Sequence, residues 1–125
     1  MTYTSNNIRR ENEGNMELFK HLIYEYKKGV KDLALYTCES SDKQIITEVL
    51  QKMKIQYHID NLGEGKINIY FGSNPCLKII RGFSSKNLDR LTPYEDFILG
   101  IMLGYSRNEQ YNRLLGKIAP QKTCW

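Results

Sequence analysis

The sequence predicts an α+β domain of order αβαββ followed by helices, with a small three-stranded sheet packed on helices. Three observations predict it. Residues 55–71 alternate apolar and polar around a glycine turn. Apolar residues recur at helical spacing before and after a short, nearly uncharged run at 32–38. A complete helix-start signal opens at Thr92 and leads into an apolar body.

Residues 1–15 are polar, Asn-rich and without period, and they read as a disordered N-terminal arm. A first helix follows at 16–28, with Leu18, Phe19, Leu22 and Tyr26 on one face. Gly29 stops it, and Lys27 and Lys28 complement its C-terminal dipole. The run 32–38 reads as a strand with few charges and hence a central one. Ser40 or Ser41 then caps a second helix to about residue 54, whose apolar face is Ile45, Ile46, Val49, Leu50 and Met53. Strand–helix–strand at this length suggests a crossover unit, right-handed if its strands are parallel.

The next two strands form a hairpin. Ile55, Tyr57 and Ile59 share one face, and Gln56, His58 and Asp60 share the other. Gly63-Glu64-Gly65-Lys66 makes the turn, after which Ile67, Ile69 and Phe71 alternate with Asn68 and Tyr70. One side of the sheet is therefore aliphatic and packs on helices. The opposite side carries Gln56, His58, Asn68 and Tyr70, joined in this reading by Tyr36. A polar and aromatic face of this kind has the composition of an interface, and a symmetric dimer would pair it with itself if the last helices leave it bare.

Asn74-Pro75 opens a short helix to about residue 83, with asparagine as cap and proline in the first turn. Residues 84–91 are a link or one helical turn. At Thr92 the signal is strong: threonine as cap, Pro93 at the first position, and Glu95 placed to close a capping box. The body that follows, 97–103, is apolar apart from one glycine, so this helix is buried on most sides, either in the core or in a subunit interface. Gly100 and Gly104 stand at small-xxx-small spacing, which favours close packing within the chain over a dimer seam. Gly104 marks the break before a last helix at 107–118, where Tyr111, Leu114, Leu115 and Ile118 are apolar. Residues 119–125 read as a tail, leaving one domain at 16–118.

At 125 residues the chain is long enough to bury roughly 65% of its unfolded surface without staples. No apolar run approaches the ~18 residues of a membrane span, and no apolar segment follows the first basic residues, so neither a membrane anchor nor a secretory signal is expected. Cys38, Cys76 and Cys124 are odd in number and far apart, which points to reduced thiols in a bacterial-type cytoplasm rather than a disulfide framework or a zinc site. The net charge of +4 belongs wholly to the second half: residues 1–62 hold nine basic and nine acidic side chains, residues 63–125 nine and five. Such a bias steers encounter with an acidic partner, unless it serves only as a solvated surface.

Candidate chemistry is sparse. His58 shares a strand face with Asp60 and can exchange a proton with it. His21, beside the apolar face of the first helix, reads as a partly buried structural residue. Gly63 and Gly65 belong to a hairpin turn with no helix N-terminus to receive phosphate. Cys38 ends a strand just before a helix, a position that lowers thiol pKa when nothing opposes it, but no partner supports reactivity and a buried, inert thiol is expected. Glu95 and Asp96 sit where a helix start favours carboxylates. No catalytic residues, cofactor site or metal site are expected, and the chain does not read as an enzyme.

The segments Leu22-Ile23-Tyr24-Glu25-Tyr26-Lys27-Lys28-Gly29-Val30-Lys31-Asp32-Leu33-Ala34-Leu35-Tyr36-Thr37 and Glu95-Asp96-Phe97-Ile98-Leu99-Gly100-Ile101-Met102-Leu103-Gly104-Tyr105 resemble a small bacterial family, a domain of unknown function found in Bacteroidetes and epsilon-proteobacteria. The likeness covers about residues 16–118. It implies three strands and about five helices, a homodimer, and genes placed near flavodoxin; it carries over no catalytic residue. The expected function is a non-enzymatic accessory protein acting as a dimer, with flavodoxin or another acidic protein as partner and Arg81, Arg107 and Arg113 as contacts. The alternative is a weak RNA or single-stranded nucleic-acid binder stacking bases on Tyr36, Tyr70 and His58, although Asp60 on that face and a modest net charge argue against it.

Overall fold

The computed structural model describes residues 16–118; the arm at 1–15, the tail at 119–125 and Cys124 lie outside the described residues. Helix α1 (Met16–Lys27) leads to strand β1 (Leu33–Glu39), a 3-10 turn (Ser40–Asp42) and helix α2 (Lys43–Lys52). Strands β2 (Gln56–Gly63) and β3 (Lys66–Gly72) follow, then α3 (Asn74–Arg81), a 3-10 turn (Leu88–Arg90), α4 (Pro93–Met102) and α5 (Arg107–Ile118). This is the α+β arrangement of three strands and five helices that the sequence predicts.

The sheet order is β1-β3-β2, with both neighbour pairs antiparallel. β1, expected to be central, is therefore an edge strand, and β3 takes the middle. The run 33–38 lacks charges because both faces of β1 are covered by side chains, not because both its edges are paired. β1 and β2 run parallel to each other with β3 inserted between them, a split βαβ unit. The crossover suggested by chain length is present but skips one strand.

Register decides which side chains share a face. Tyr36 stands opposite Ile69 and Leu35 opposite Tyr70, while Tyr57 stands opposite Phe71 and His58 opposite Tyr70. Tyr36 thus belongs to the aliphatic face, not to the polar one where the sequence placed it. There it packs with Phe19 (ring centroids 5.3 Å apart), Ala34, Cys38, Ile67, Ile69 and Phe71 beneath Leu22 and Ile23 of α1 and Ile46 and Leu50 of α2. The other face buries Leu33 and Tyr70 against Cys76, Leu77 and Ile80 of α3 and Leu99 and Leu103 at α4. Each large apolar side chain fully buried this way contributes about 1.5–3 kcal/mol, so both layers are needed to hold a sheet of only three strands.

The helix boundaries follow local hydrogen bonding. Thr92 Oγ1 accepts from the Glu95 amide at 3.2 Å and the Thr92 amide donates to Glu95 Oε1 at 3.0 Å, closing the expected capping box. Ser73, not Asn74, caps α3, its hydroxyl accepting from the Cys76 amide at 3.5 Å. Ser40 and Ser41 do not cap α2; they form the 3-10 turn, and the helix starts after Asp42 without a side-chain cap. Gly104, at φ +84°, makes the break between α4 and α5 as predicted.

Candidate functional site

The polar strip of the sheet is built by cross-strand register. Thr37, Asn68 and Asp60 form one row across the three strands, and His58 stands beside Tyr70 in the next. Thr37 Oγ1 donates to Asn68 Oδ1 at 2.7 Å, and His58 Nε2 lies 2.8 Å from Asp60 Oδ1. The His58 and Tyr70 rings sit 6.1 Å apart in a tilted arrangement. Of the expected face, Asn68 and Tyr70 are buried, His58 is half-buried and Gln56 is exposed. Asn68 Nδ2 has no hydrogen-bond partner among the described residues. The imidazole and the carboxylate are within hydrogen-bond distance, but among the described residues no cysteine or serine stands beside them. Cys38 is on the opposite face, where burial and then the nearby Asp42 and Glu39 charges push its thiol up to about 11.

Elements α4 and α5 form a second assembly, which the sequence reading missed. The Asp96 side chain is buried and receives Arg113 twice, from Nε at 2.6 Å and from Nη2 at 3.3 Å, with Lys117 Nζ at 3.1 Å. Near it, Gln110 packs side chain first onto Gly100, and the glutamine carbonyl oxygen is buried without a partner among the described residues. This is the close helix approach that Gly100 was expected to permit, made within the chain. Asp96 concealed its role because a carboxylate at a helix start is favoured by the dipole in any case.

The three arginines expected to contact a partner are used differently. Arg113 is committed to Asp96. Arg81, at the end of α3, is exposed and donates from Nη2 to the Tyr57 carbonyl at 3.4 Å. Arg107 is exposed at the start of α5. His21, expected to be partly buried, is exposed and lies 3.4 Å from Glu25 one turn later.

The outer surface of this helix pair carries exposed apolar side chains among polar ones. Tyr94 and Ile98 on α4 are 55% and 37% exposed, and Tyr111 and Leu115 on α5 are 47% and 49% exposed. Phe97 and Tyr111 bring the two rows together with ring centroids 5.9 Å apart. Of the expected apolar set Tyr111, Leu114, Leu115 and Ile118, Ile118 is buried while Tyr111 and Leu115 are exposed; Gln110 and Arg113 take the inner positions facing Gly100 and Asp96.

The two segments quoted above, 22–37 and 95–105, prove to be the α1–β1 unit and the α4 helix with its turn. A family model described as "Protein of unknown function (DUF2023)" matches residues 17–117. The chain belongs to this DUF2023 family. The match covers all five helices and all three strands, so α4–α5 and the sheet are both parts of the DUF2023 domain. No curated protein matches the sequence. Among the described residues, no helix of this DUF2023 domain is long and apolar enough to cross a membrane.

Proposed function

We propose that this chain is a non-enzymatic accessory protein that acts by binding another protein, and that the outer face of α4–α5 is its docking surface. One observation carries the reading: past its acidic first turn the body of α4 is apolar, yet Tyr94 and Ile98 stay open to solvent alongside the exposed Tyr111 and Leu115 of α5. Apolar patches of this kind on a small domain mark interaction sites. Exposed Arg107 lies on α5 beside that patch, and the +4 balance of the second half favours an acidic partner. Flavodoxin, implied by the resemblance, has that character, and a cytoplasmic setting goes with it.

The nucleic-acid alternative loses support, because Tyr36 and Tyr70 are each 1% exposed and offer no stacking platform. The test is an NMR titration of the labelled chain with flavodoxin from the same organism, at low and moderate salt. Shifts centred on Ile98, Tyr111 and Leu115 that vanish in Ile98→Asp support the reading; no shifts at either salt, or shifts confined to the sheet, overturn it.

A further inference from the structure

Helix α2 ends on a lysine where a helix end ordinarily takes glycine. The Ile55 amide donates to the Leu50 carbonyl at 2.9 Å, and the Lys54 amide to the Gln51 carbonyl at 3.1 Å. These two bonds form a Schellman motif, and Lys54 fills its left-handed position at φ +59°. Glycine adopts that conformation freely, whereas the Cβ of a lysine is strained there. The Lys54 side chain is exposed and forms no hydrogen bond or salt bridge among the described residues, so no such contact offsets the strain. Lys52 already complements the dipole in the last turn of the helix.

What Lys54 does face is an open cavity of about 570 Å³, which it lines with Gln51, Ile55, Gln56 and Tyr57 and with no carboxylate. Gln51 Nε2 donates to the Tyr57 hydroxyl at 2.9 Å, which leaves the phenolic proton available to an acceptor in the cavity. Arg81 reaches the same strand from α3, with Nη2 on the Tyr57 carbonyl at 3.4 Å. Gln51 also lines a second cavity of about 540 Å³, whose walls include Ile45, Val49 and Lys52. Ile45 is 56% exposed there, and the one carboxylate of that wall, Glu48, accepts from Gln44 Nε2 at 3.1 Å. Among the described residues, none of Lys52, Lys54 and Arg81 is in a salt bridge.

We propose that this α2–β2 cleft binds a small organic phosphate ester, with the phosphate held by Lys54, Lys52 and the Tyr57 hydroxyl and the apolar body seated on Ile45 and Val49. The chemistry follows from the two halves. Unpaired cations beside a phenolic donor, with no carboxylate in the polar half, suit a dianion of several acceptor oxygens better than a single carboxylate. The apolar half gives the rest of the molecule a surface to cover, and Glu48 disfavours a second anionic group at that end. Each cavity falls within the roughly 300–1,000 Å³ of small-molecule sites. The lysine at the helix stop is then explained by the ligand rather than by the fold. The cleft shares no residue with the α4–α5 face and does not depend on docking there.

The test titrates the isotopically labelled full chain with phenyl phosphate, benzoate and inorganic phosphate in separate NMR series at low salt. Phenyl phosphate is expected to shift the Gln51, Lys54 and Tyr57 amides together with those of Ile45 and Val49. It is expected to bind at least about tenfold more tightly than benzoate, which lacks the second charge, or inorganic phosphate, which lacks the ring. Lys54→Gly relaxes the left-handed position, so its urea midpoint should equal or exceed that of the wild type while phenyl phosphate binding falls at least about tenfold. A merely structural Lys54 would give the gain in stability without the loss of binding. Undiminished binding in Lys54→Gly overturns the inference. So do equal affinities for the three probes, and phenyl phosphate shifts that are absent or confined to other faces.

Discussion

Gln110 lies against Gly100 so closely that a Cβ on residue 100 would run into the glutamine amide. The glutamine is 1% exposed, so any shift of its amide disturbs buried packing. Gly100→Ala is therefore expected to destabilise the chain by about 1–3 kcal/mol, even though alanine is the better helix former by about 1 kcal/mol. Urea denaturation should show a lower midpoint at unchanged slope. Adding Gln110→Ala should cost less than the sum of the two single changes, because it vacates the space that the new methyl needs.

Arg113 and Lys117 both meet Asp96, but they are not equivalent. Removing Arg113 takes two hydrogen bonds from a carboxylate whose side chain is 2% exposed, whereas the Lys117 side chain is 36% exposed and its charge is shared with water. Arg113→Ala is expected to cost about 3 kcal/mol and Lys117→Ala no more than about 1 kcal/mol. Equal losses in denaturant titration would show that the bidentate contact has no special weight.

The structure also sets an alkaline limit. Burial pushes the Tyr36 hydroxyl up to about 12, and burial with nearby carboxylates pushes the Cys38 thiol up to about 11. Both groups fold in the protonated form, so the unfolded chain releases these protons first as pH rises. Their contribution is complete below the unfolded-state values of 9.0 for the thiol and 10.0 for the hydroxyl, and is lost as pH climbs through the folded values. Thermal melting temperature should hold near pH 8 and fall between pH 9 and 12. Cys38→Ala should flatten the first part of that fall.

Glu95 works in the opposite direction. The Ser84 hydroxyl above all, helped by the Thr92 and Ser84 backbone amides, holds its carboxyl below the usual glutamate range and together they outweigh the opposing effect of burial. Its contribution is present above the unfolded-state value and is lost as pH falls through the depressed one. Glu95→Gln should make the acid limb of the stability profile shallower; an unchanged acid limb would mean the box is held by Thr92 alone.

Thiol labelling gives a direct reading of packing. In Cys124→Ser, the remaining Cys38 and Cys76 are both buried, on opposite faces of the sheet. A disulfide reagent at pH 8 should label them slowly in the native chain and fast in guanidinium; rapid native labelling of Cys38 would mean the layer beneath α1 opens readily, and of Cys76 the layer beneath α3.

What could be read from the sequence was local. The Thr92–Glu95 box, the Gly104 break and the 63–66 turn each depend on residues within four positions of one another. The face occupied by Tyr36 depends instead on which strand β1 pairs with, and nothing within 32–38 encodes a partner 33 positions away in β3. The same holds for Asp96: its place at a helix start explains a carboxylate without any partner, so Arg113 was free to look like a surface contact. Tyr111 and Leu115 follow the helical period faithfully but mark an outer stripe, because periodicity gives a phase and not a direction.

The split order of the sheet also governs when the fold can be completed during synthesis. β2 and β3 zip together across a short turn as soon as both exist, but β1, made first, has no strand to join until β3 has emerged behind it. For some 30 residues of elongation the uncharged run from Leu33 to Cys38 has both edges open, on a growing chain that sits close to its neighbours on a polysome. The open β1 edge is therefore also the segment most exposed to premature pairing between nascent chains.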